Sequence, residues 1–380
     1  MSTFGYTHGV NPIVYAIPVF MVSILLEAWI AHRRGVATYN IPDAITSLNF
    51  GILSQLSDVF VRVFTFGIYI WVFDNLRIHT FSADSLWLWV FALITYDFIY
   101  YWVHRCGHEI NLMWSAHQVH HSSEYFNLST ALRQTSTGAF ASFPFYLPMA
   151  LLGVPPIVFG TVALIDLLYQ YWVHTELVRK LGWVDRVFVT PSNHRVHHGQ
   201  NDYCTDRNYG GIFIIWDRLF GTFSEERENE PVVYGIRKPL ASYNSVWGNL
   251  NVYADVIRKS LNAGSPFTAI KIWFDSPGGR GATLPHLDPK SVKKFSIDTS
   301  QAVQRYAVAQ YALLAAVMTY FLTIVPTLSV QDRVIWAIAI TLSAMSLGWL
   351  LEGRRFARHV EIVRLLTLGA VIASFALPRL

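Results

Sequence analysis

The sequence predicts an all-α protein: a polytopic bundle of membrane helices with a histidine-rich region gathered at its cytoplasmic face. Three observations predict it: a shortage of charge, a series of helix-length apolar runs, and histidines boxed at helical spacing. Of the 380 residues, 53% are hydrophobic and 14% charged, whereas an average soluble domain carries roughly 25% charged residues. Much of the surface is therefore built to face something other than water. The 15% aromatic share, with 13 Trp, suits belts at membrane interfaces. Two cysteines, Cys106 and Cys204, give no disulfide framework and fit a reducing compartment. A net charge of +4 without a basic run leaves no footprint for nucleic acid.

The apolar runs follow in order. One extends from about Pro12 to Ile30, a second from Leu48 to Phe73, and a third from Leu86 to Val103. A fourth, Phe140 to Val173, carries Pro144, Pro148, Gly153, Pro155 and Pro156 and predicts a helical hairpin turning at the double proline. Three more spans are expected at Tyr306–Val325, Val334–Leu351 and Ile362–Leu377. No basic residue precedes the first run and no small-residue cleavage site follows it, so it reads as a retained span rather than a signal peptide.

Loop arginines set the expected orientation. Arg33 and Arg34 follow the first span, only Arg77 lies between Asp74 and Ser85, and Arg354, Arg355 and Arg358 separate the last two spans. One topology satisfies these biases, with the amino terminus outside and Arg33/Arg34 in the cytoplasm. It places His104, and the stretch from His174 to about Gln304, on the cytoplasmic side. The chain divides into N-terminal spans (1–85), a catalytic region (86–224), a cytoplasmic connector (225–305) and C-terminal spans (306–380). The connector holds the acidic cluster Glu225, Glu226, Glu228 and Glu230 and the loop-like SPGGRGATLPHLDP.

Nine of the 14 histidines lie between His104 and His198. His104 and His108 form H-x-x-x-H. His117, His120 and His121 form H-x-x-H-H, and His194, His197 and His198 repeat it. His174 stands in YWVHTE after the hairpin. Positions i, i+3 and i+4 share one helical face, so each box aims two or three imidazoles at one point. Burying so many together is unfavourable without a cation, because one protonated ring repels the next and unpaired ring nitrogens are desolvated. A single zinc needs three or four ligands; nine suit two ions with open positions. Two close redox ions can bind and split dioxygen, which zinc cannot do by changing oxidation state. Iron is therefore the expected metal. With His104 at the end of one span and His174 at the exit of the hairpin, the site should lie at the bilayer surface, where a lipid chain enters and its head stays wet.

Carboxylates nearby are expected to orient the ligands. Asp97 lies seven residues before His104 on the same helical face and inside a span, where a carboxylate is a functional candidate. Glu109 follows His108, and Glu176 follows His174 by two. Asn127, Arg133 and Gln134, after the second box, are candidates for binding a polar head or reductant. His8, His32, His79, His286 and His359 are isolated and read as surface or packing residues, and Cys106 faces away from its neighbouring histidines by helical phase.

The three boxes and the segment NYGGIFIIWDRLFGTF resemble the fatty acid hydroxylase/sterol desaturase superfamily over about Asp97 to Phe223. More narrowly, HRCGHEINLMWSAHQVHHSSEYFNLSTALRQ, LLYQYWVHTE and NHRVHHGQNDYCTDRNYGG resemble the branch that attacks ether lipids. The resemblance implies a membrane di-iron monooxygenase that hydroxylates the carbon next to the ether oxygen of alkylglycerols, with tetrahydrobiopterin as reductant. The hemiacetal product falls apart to a fatty aldehyde and a glycerol derivative. It further implies that His104, His108, His117, His120, His121, His194, His197 and His198 are metal ligands, that His174 is an extra ligand, and that Glu109 matches an important glutamate. Tyr125 and Phe126 depart from the SSEDYNL pattern of that branch. Ser276–Gly279 lacks the histidine of a haem-binding HPGG, so electrons must come from a separate donor protein or a diffusible reductant.

The leading expectation is an O2-dependent lipid monooxygenase of the bacterial inner membrane or the endoplasmic reticulum. A sterol or fatty-acyl hydroxylase or desaturase is the alternative within the same chemistry. A metal transporter is the distant one, because transport needs ligands along a path through the bilayer and these histidines gather on one face.

Overall fold

A computed structural model describes residues 13–279 and 284–376, and among them the only β-structure is two isolated bridges. His8 and Leu377 lie outside the described residues. Three long helices open the chain: α1 (Ile13–Arg34), α2 (Ile41–Leu76) and α3 (Leu86–Glu109). A single extended residue, Ile110, separates α3 from α4 (Asn111–His121), so the first two histidine boxes meet at a sharp corner.

Helix α2 begins seven residues before its apolar run. Asn40 caps it by accepting from the Asp43 N–H at 3.1 Å, and Pro42 occupies its first turn, where a missing N–H costs nothing. Its 36 residues span about 54 Å at ~1.5 Å per residue, well beyond a ~30 Å hydrocarbon core. The surplus carries Asp43 and Ser47 to the histidine end.

The proline-rich run folds as the expected hairpin. A helical segment, 139–146, leads into α5 (Leu147–Leu152), and α6 (Pro156–Trp172) returns. Gly153 makes the turn at φ +95, where a Cβ would stand 2.0 Å from the His79 carbonyl oxygen. Only glycine allows that approach, and the Ile78 N–H donates to the Leu151 carbonyl beside it at 2.8 Å. Beyond the hairpin, α7 (Pro191–His197) carries the third box, and α8 (Ile215–Phe220) follows. Two connector helices, α9 (Ser245–Leu261) and α10 (Pro266–Phe274), precede α11 (Gln301–Ile324), α12 (Val330–Leu351) and α13 (Ala357–Ala376).

Among the described residues five helices are long and apolar enough to cross a membrane: α1, α2, α3, α11 with its following turn, and α12. The hairpin arms are shorter. Helix α13 starts five residues before its apolar run and brings Arg358 and Glu361 with it, while Arg364 lies inside the run. Two apolar clusters order the bundle. One joins α1, the first half of α2 and α11–α13 around Trp336. The other joins the second half of α2, α3 and the hairpin around Tyr69, Met149 and Val158.

A buried ion pair sits within the C-terminal bundle. Arg364, 1% exposed, pairs with Glu361, which also accepts from Tyr306 Oη at 2.5 Å and Ser346 Oγ at 2.7 Å. Arg364 donates a further bond to Gln310 at 2.8 Å. Removing one partner of such a pair strands the other. Arg364→Leu alone is expected to cost about 3–5 kcal/mol, and the double change Arg364→Leu/Glu361→Leu distinctly less. Thermal unfolding of the purified protein in detergent checks this; a double variant less stable than the single one would contradict it.

Candidate metal centre

Helices α3, α4 and α7 and the exit of α6 place the eight boxed histidines and His174 at one end of the bundle. Their ring nitrogens fall into two groups, each within 4.8 Å mutually. His104, His108, His117, His121 and His197 form one; His120, His174, His194 and His198 form the other. The H-x-x-H-H boxes, expected to aim at one point each, split between the two groups, because i+3 and i+4 lie on opposite sides of i, about 100° apart around the helix. On α4, His117 and His121 therefore serve one group and His120 the other.

Nitrogen–nitrogen distances within the groups are short. His104 Nε2 lies 3.0 Å from His117 Nε2, which lies 3.1 Å from His121 Nε2. In the second group His174 Nε2 stands 3.1 Å from His120, 3.2 Å from His198 and 2.9 Å from His194. These are not hydrogen bonds. His120 Nδ1 donates to the Arg133 carbonyl at 3.1 Å and His174 Nδ1 to the Gln170 carbonyl at 2.7 Å. A carbonyl only accepts, so in each neutral ring the proton is on Nδ1 and Nε2 presents a lone pair. Burial pushes His120 down to about 4 and holds His174, His194 and His198 well below the ordinary histidine pKa, so the rings are neutral at pH 7. Two lone pairs 3.1 Å apart in a dry site need a cation between them. Metal–nitrogen bonds of about 2.0–2.1 Å at right to tetrahedral angles separate ligand nitrogens by about 2.8–3.4 Å, which brackets the distances of 2.9 to 3.2 Å found here.

Four backbone carbonyls aim the rings: those of Tyr209 for His104 (2.8 Å), Arg207 for His197 (2.9 Å), Arg133 for His120 and Gln170 for His174. Such bonds fix tautomer and orientation and raise ligand basicity. The segment from Tyr209 to Phe213 is itself held by two carboxylates. Asp97 accepts from the N–H groups of Ile212 (2.6 Å) and Phe213 (3.2 Å) and from Trp216 Nε1 (2.7 Å). Asp217 accepts from the N–H groups of Tyr209 (2.7 Å) and Gly210 (2.8 Å). Asp97 thus reaches the histidines through the Tyr209 segment rather than by touching a ring. Gly211 sits where a Cβ would lie 2.6 Å from Asp166 Oδ1 and 2.9 Å from Asp97 Oδ1, so any side chain there would break the tie. Arg195 locks α7 in place. It grips Glu226 through two nitrogens at 2.6 and 2.7 Å and donates to the Thr175 and Val178 carbonyls beside His174.

A cavity of about 450 Å³ opens onto the cluster at His104, His117, His120 and His174. Apolar residues of α1, α2 and α11, such as Ile17, Ile52 and Met318, line much of it. The α3–α6 wall carries a polar chain: Tyr100 Oη donates to Gln170 Oε1 at 2.6 Å, and Gln170 Nε2 donates to Asp166 Oδ2 at 2.6 Å. Sequence reading missed Asp166, although an intramembrane carboxylate was the signal that picked out Asp97.

The other expected site residues are placed as follows. Glu109 pairs with Arg105 at 2.9 Å on the outer side of α3 and belongs to neither histidine group. Glu176 is half-buried and hydrogen-bonded by Tyr234, and burial pushes its carboxyl up. Asn127 Nδ2 donates to the Thr38 carbonyl, and its Oδ1 accepts from the Ser129 N–H. Arg133, 2% exposed, bonds Asp43 (2.8 Å), Ser47 and Ser122. Gln134 does line the cavity. Phe126, where the family pattern breaks, stacks on Tyr234 at 4.9 Å and packs against His174. Cys106 and the isolated His32, His79, His286 and His359 join no ligand group among the described residues.

The fold and site define a helical integral membrane metalloprotein. The fatty acid hydroxylase family profile matches residues 89–222. The chain is 38% identical to the alkylglycerol monooxygenase of Homo sapiens, over 92% of this chain and 80% of that protein. It is 38% identical to that of Danio rerio, over 92% and 79%. The ornithine lipid hydroxylase OlsE of Rhizobium tropici is 31% identical over 40% of this chain and 46% of its own. No solved structure matches. The chain belongs to the fatty acid hydroxylase family, among its alkylglycerol monooxygenase members, and is an oxygen-dependent lipid monooxygenase.

The geometry assigns Asp97 a measurable part. Asp97→Asn keeps the shape but turns one acceptor oxygen into an NH2 facing a donor, and is expected to weaken metal retention about 10–100-fold. Metal content after dialysis against graded chelator reads this directly. Retention equal to the unsubstituted protein would show that the Tyr209 segment needs no such tether.

Proposed function

We propose that the protein hydroxylates the carbon next to the ether oxygen of an alkylglycerol, with one iron ion held by each histidine group and the site facing the cytoplasm. The observation that carries the reading is the pair of opposed, carbonyl-aimed imidazoles, His120 and His174, on the wall of an apolar cavity. Nine converging imidazoles favour a divalent transition metal, and iron supplies the dioxygen-reducing chemistry such a family needs. The reductant is tetrahydrobiopterin or another separate electron donor, which brings the two electrons that one oxygen atom takes up on its way to water.

The residues do the rest. The apolar wall from α1, α2 and α11 receives the alkyl chain and excludes water, which orients the ether end toward His104 and His120. Tyr100 commits its hydroxyl proton to Gln170 and presents its oxygen to the cavity as an acceptor for a substrate hydroxyl. Gln134 offers a second polar contact near the histidines. Asp97, through the Tyr209 carbonyl, keeps the His104 proton on Nδ1. The hydroxylated carbon is then a hemiacetal. Its O–H proton leaves, the C–O bond to glycerol breaks, and the glycerol oxygen takes a proton, giving a fatty aldehyde and a glycerol derivative.

Membranes given an alkylglycerol, oxygen and tetrahydrobiopterin are expected to release fatty aldehyde, measured by lipid mass spectrometry. His120→Ala should lower it by at least about 100-fold while the protein still inserts, since even outer partners of ligands are worth about 10–100-fold. No aldehyde from iron-loaded protein, with hydroxylated sterol or acyl product instead, would turn the reading to the sterol or fatty-acyl alternative.

A further inference from the structure

Helices α9 and α10 form a hairpin that is fixed to the body by one face and leaves another apolar face open. On the inner face, Gln118 Nε2 of α4 donates to the Gly248 carbonyl at 2.8 Å, and Asn249 Oδ1 accepts from the Ser136 N–H at 2.9 Å. Tyr253 Oη donates to Thr137 at 3.0 Å, and Asn111 Nδ2 of α4 to the Ile272 carbonyl at 2.8 Å. The hairpin is therefore seated, and its outer side is not waiting to fold onto the protein.

That outer side is patterned. On α9, Trp247, Leu250, Ile257 and Leu261 recur at helical spacing and are exposed. On α10, Phe267, Ile270 and Phe274 fall at i, i+3 and i+7 and are 77%, 62% and 62% exposed. Lys271 stands in the second stripe and Arg258, which also reaches Asp255 at 3.7 Å, borders the first, both exposed, while Lys259 lies on the other side of α9 and pairs with Asp255 at 3.3 Å. No acidic residue interrupts either stripe. Apolar rows with long cations beside them are the pattern of helices that lie in a lipid headgroup region, the cations reaching outward to phosphate.

The position of the hairpin matches. Its start lies against the ends of two spans: Gly248 packs on Phe50 of α2, and Gly348 of α12 approaches Tyr243 and Asn244, the residues leading into α9. Both spans end at a membrane surface, so the stripe on α9 starts where headgroups must be. We propose that the α9–α10 hairpin is an in-plane membrane element whose Trp247–Leu261 and Phe267–Phe274 stripes rest in the headgroup and upper acyl region, beside the part of the cavity wall that Thr135 and Gly138 form. The hairpin braces that wall through Asn249 and Tyr253, which bond Ser136 and Thr137 between them, so the docked lipid surface and the lipid-accepting cavity share one support.

The test uses the full chain in phosphatidylcholine/phosphatidylglycerol vesicles, with single Ile257→Cys, Ile270→Cys and Glu228→Cys variants carrying an environment-sensitive fluorophore. Labelling of the unsubstituted protein gives the background from Cys106 and Cys204. The proposal expects blue-shifted emission at positions 257 and 270, quenched at least about twofold by lipids brominated near the carbonyl end of the chain but little by aqueous iodide. Position 228 should show the reverse. Iodide quenching at 257 and 270 equal to that at 228 would overturn the proposal. So would protection from iodide without quenching by the brominated lipid, because a second copy or another protein would then cover the stripes. Metal content, measured alongside, confirms that each variant is folded.

Discussion

Everything at the active end follows from one electrostatic constraint: imidazole lone pairs buried about 3 Å apart repel unless a cation lies between them. The folded chain accepts that repulsion because each ring is aimed from outside, by carbonyls at Tyr209, Arg207, Arg133 and Gln170. Those carbonyls belong to segments that are themselves tied down. The Tyr209 segment hangs from Asp97 and Asp217, and the Arg133 turn from Asp43 of the overlong α2. A metal bound by these rings would turn a strained polar core into a stable one, since the free energy of binding would become part of the free energy of folding.

Carboxyl groups inside apolar helices serve the same end. Glu27 on α1 accepts from Thr175 Oγ1 and Tyr39 Oη, each at 2.5 Å, and from the Leu128 N–H at 2.8 Å. It joins the first span to the segments on either side of His174 and the second box. Burying a polar group is costly unless its partners are complete, and this carboxyl group is supplied with donors from distant parts of the chain. The polar links therefore specify how the spans register at the site, while the two apolar clusters supply the bulk of the packing.

Much of this was legible in the sequence. Apolar runs located the long spans, the double proline located the hairpin, and helical spacing of His104 through His198 picked out the nine residues that converge. The starts of α2 and α13 were not legible, because Asn40 capping and the Glu361–Arg364 pair let a helix run on through polar residues where hydropathy ends. Asn127 and Arg133 look from sequence like groups offered to a ligand. In the structure Thr38, Asp43, Ser47 and Ser122 use their polar atoms, and those partners lie more than 80 residues away for all but Ser122. A sequence shows that a residue can bond; only the fold shows to whom. The outward stripes of α9 and α10 were hidden for the same reason, since an amphipathic pattern does not say which face the body takes.

X-ray absorption at the iron edge, with metal counted per chain, tests the central claim most directly. The account predicts two irons per chain, each surrounded by imidazole nitrogens at about 2.0–2.2 Å. It also predicts that His120→Ala removes the second ion's signal before the first. One metal per chain, or a first shell dominated by carboxylate oxygen or by sulfur, would contradict it.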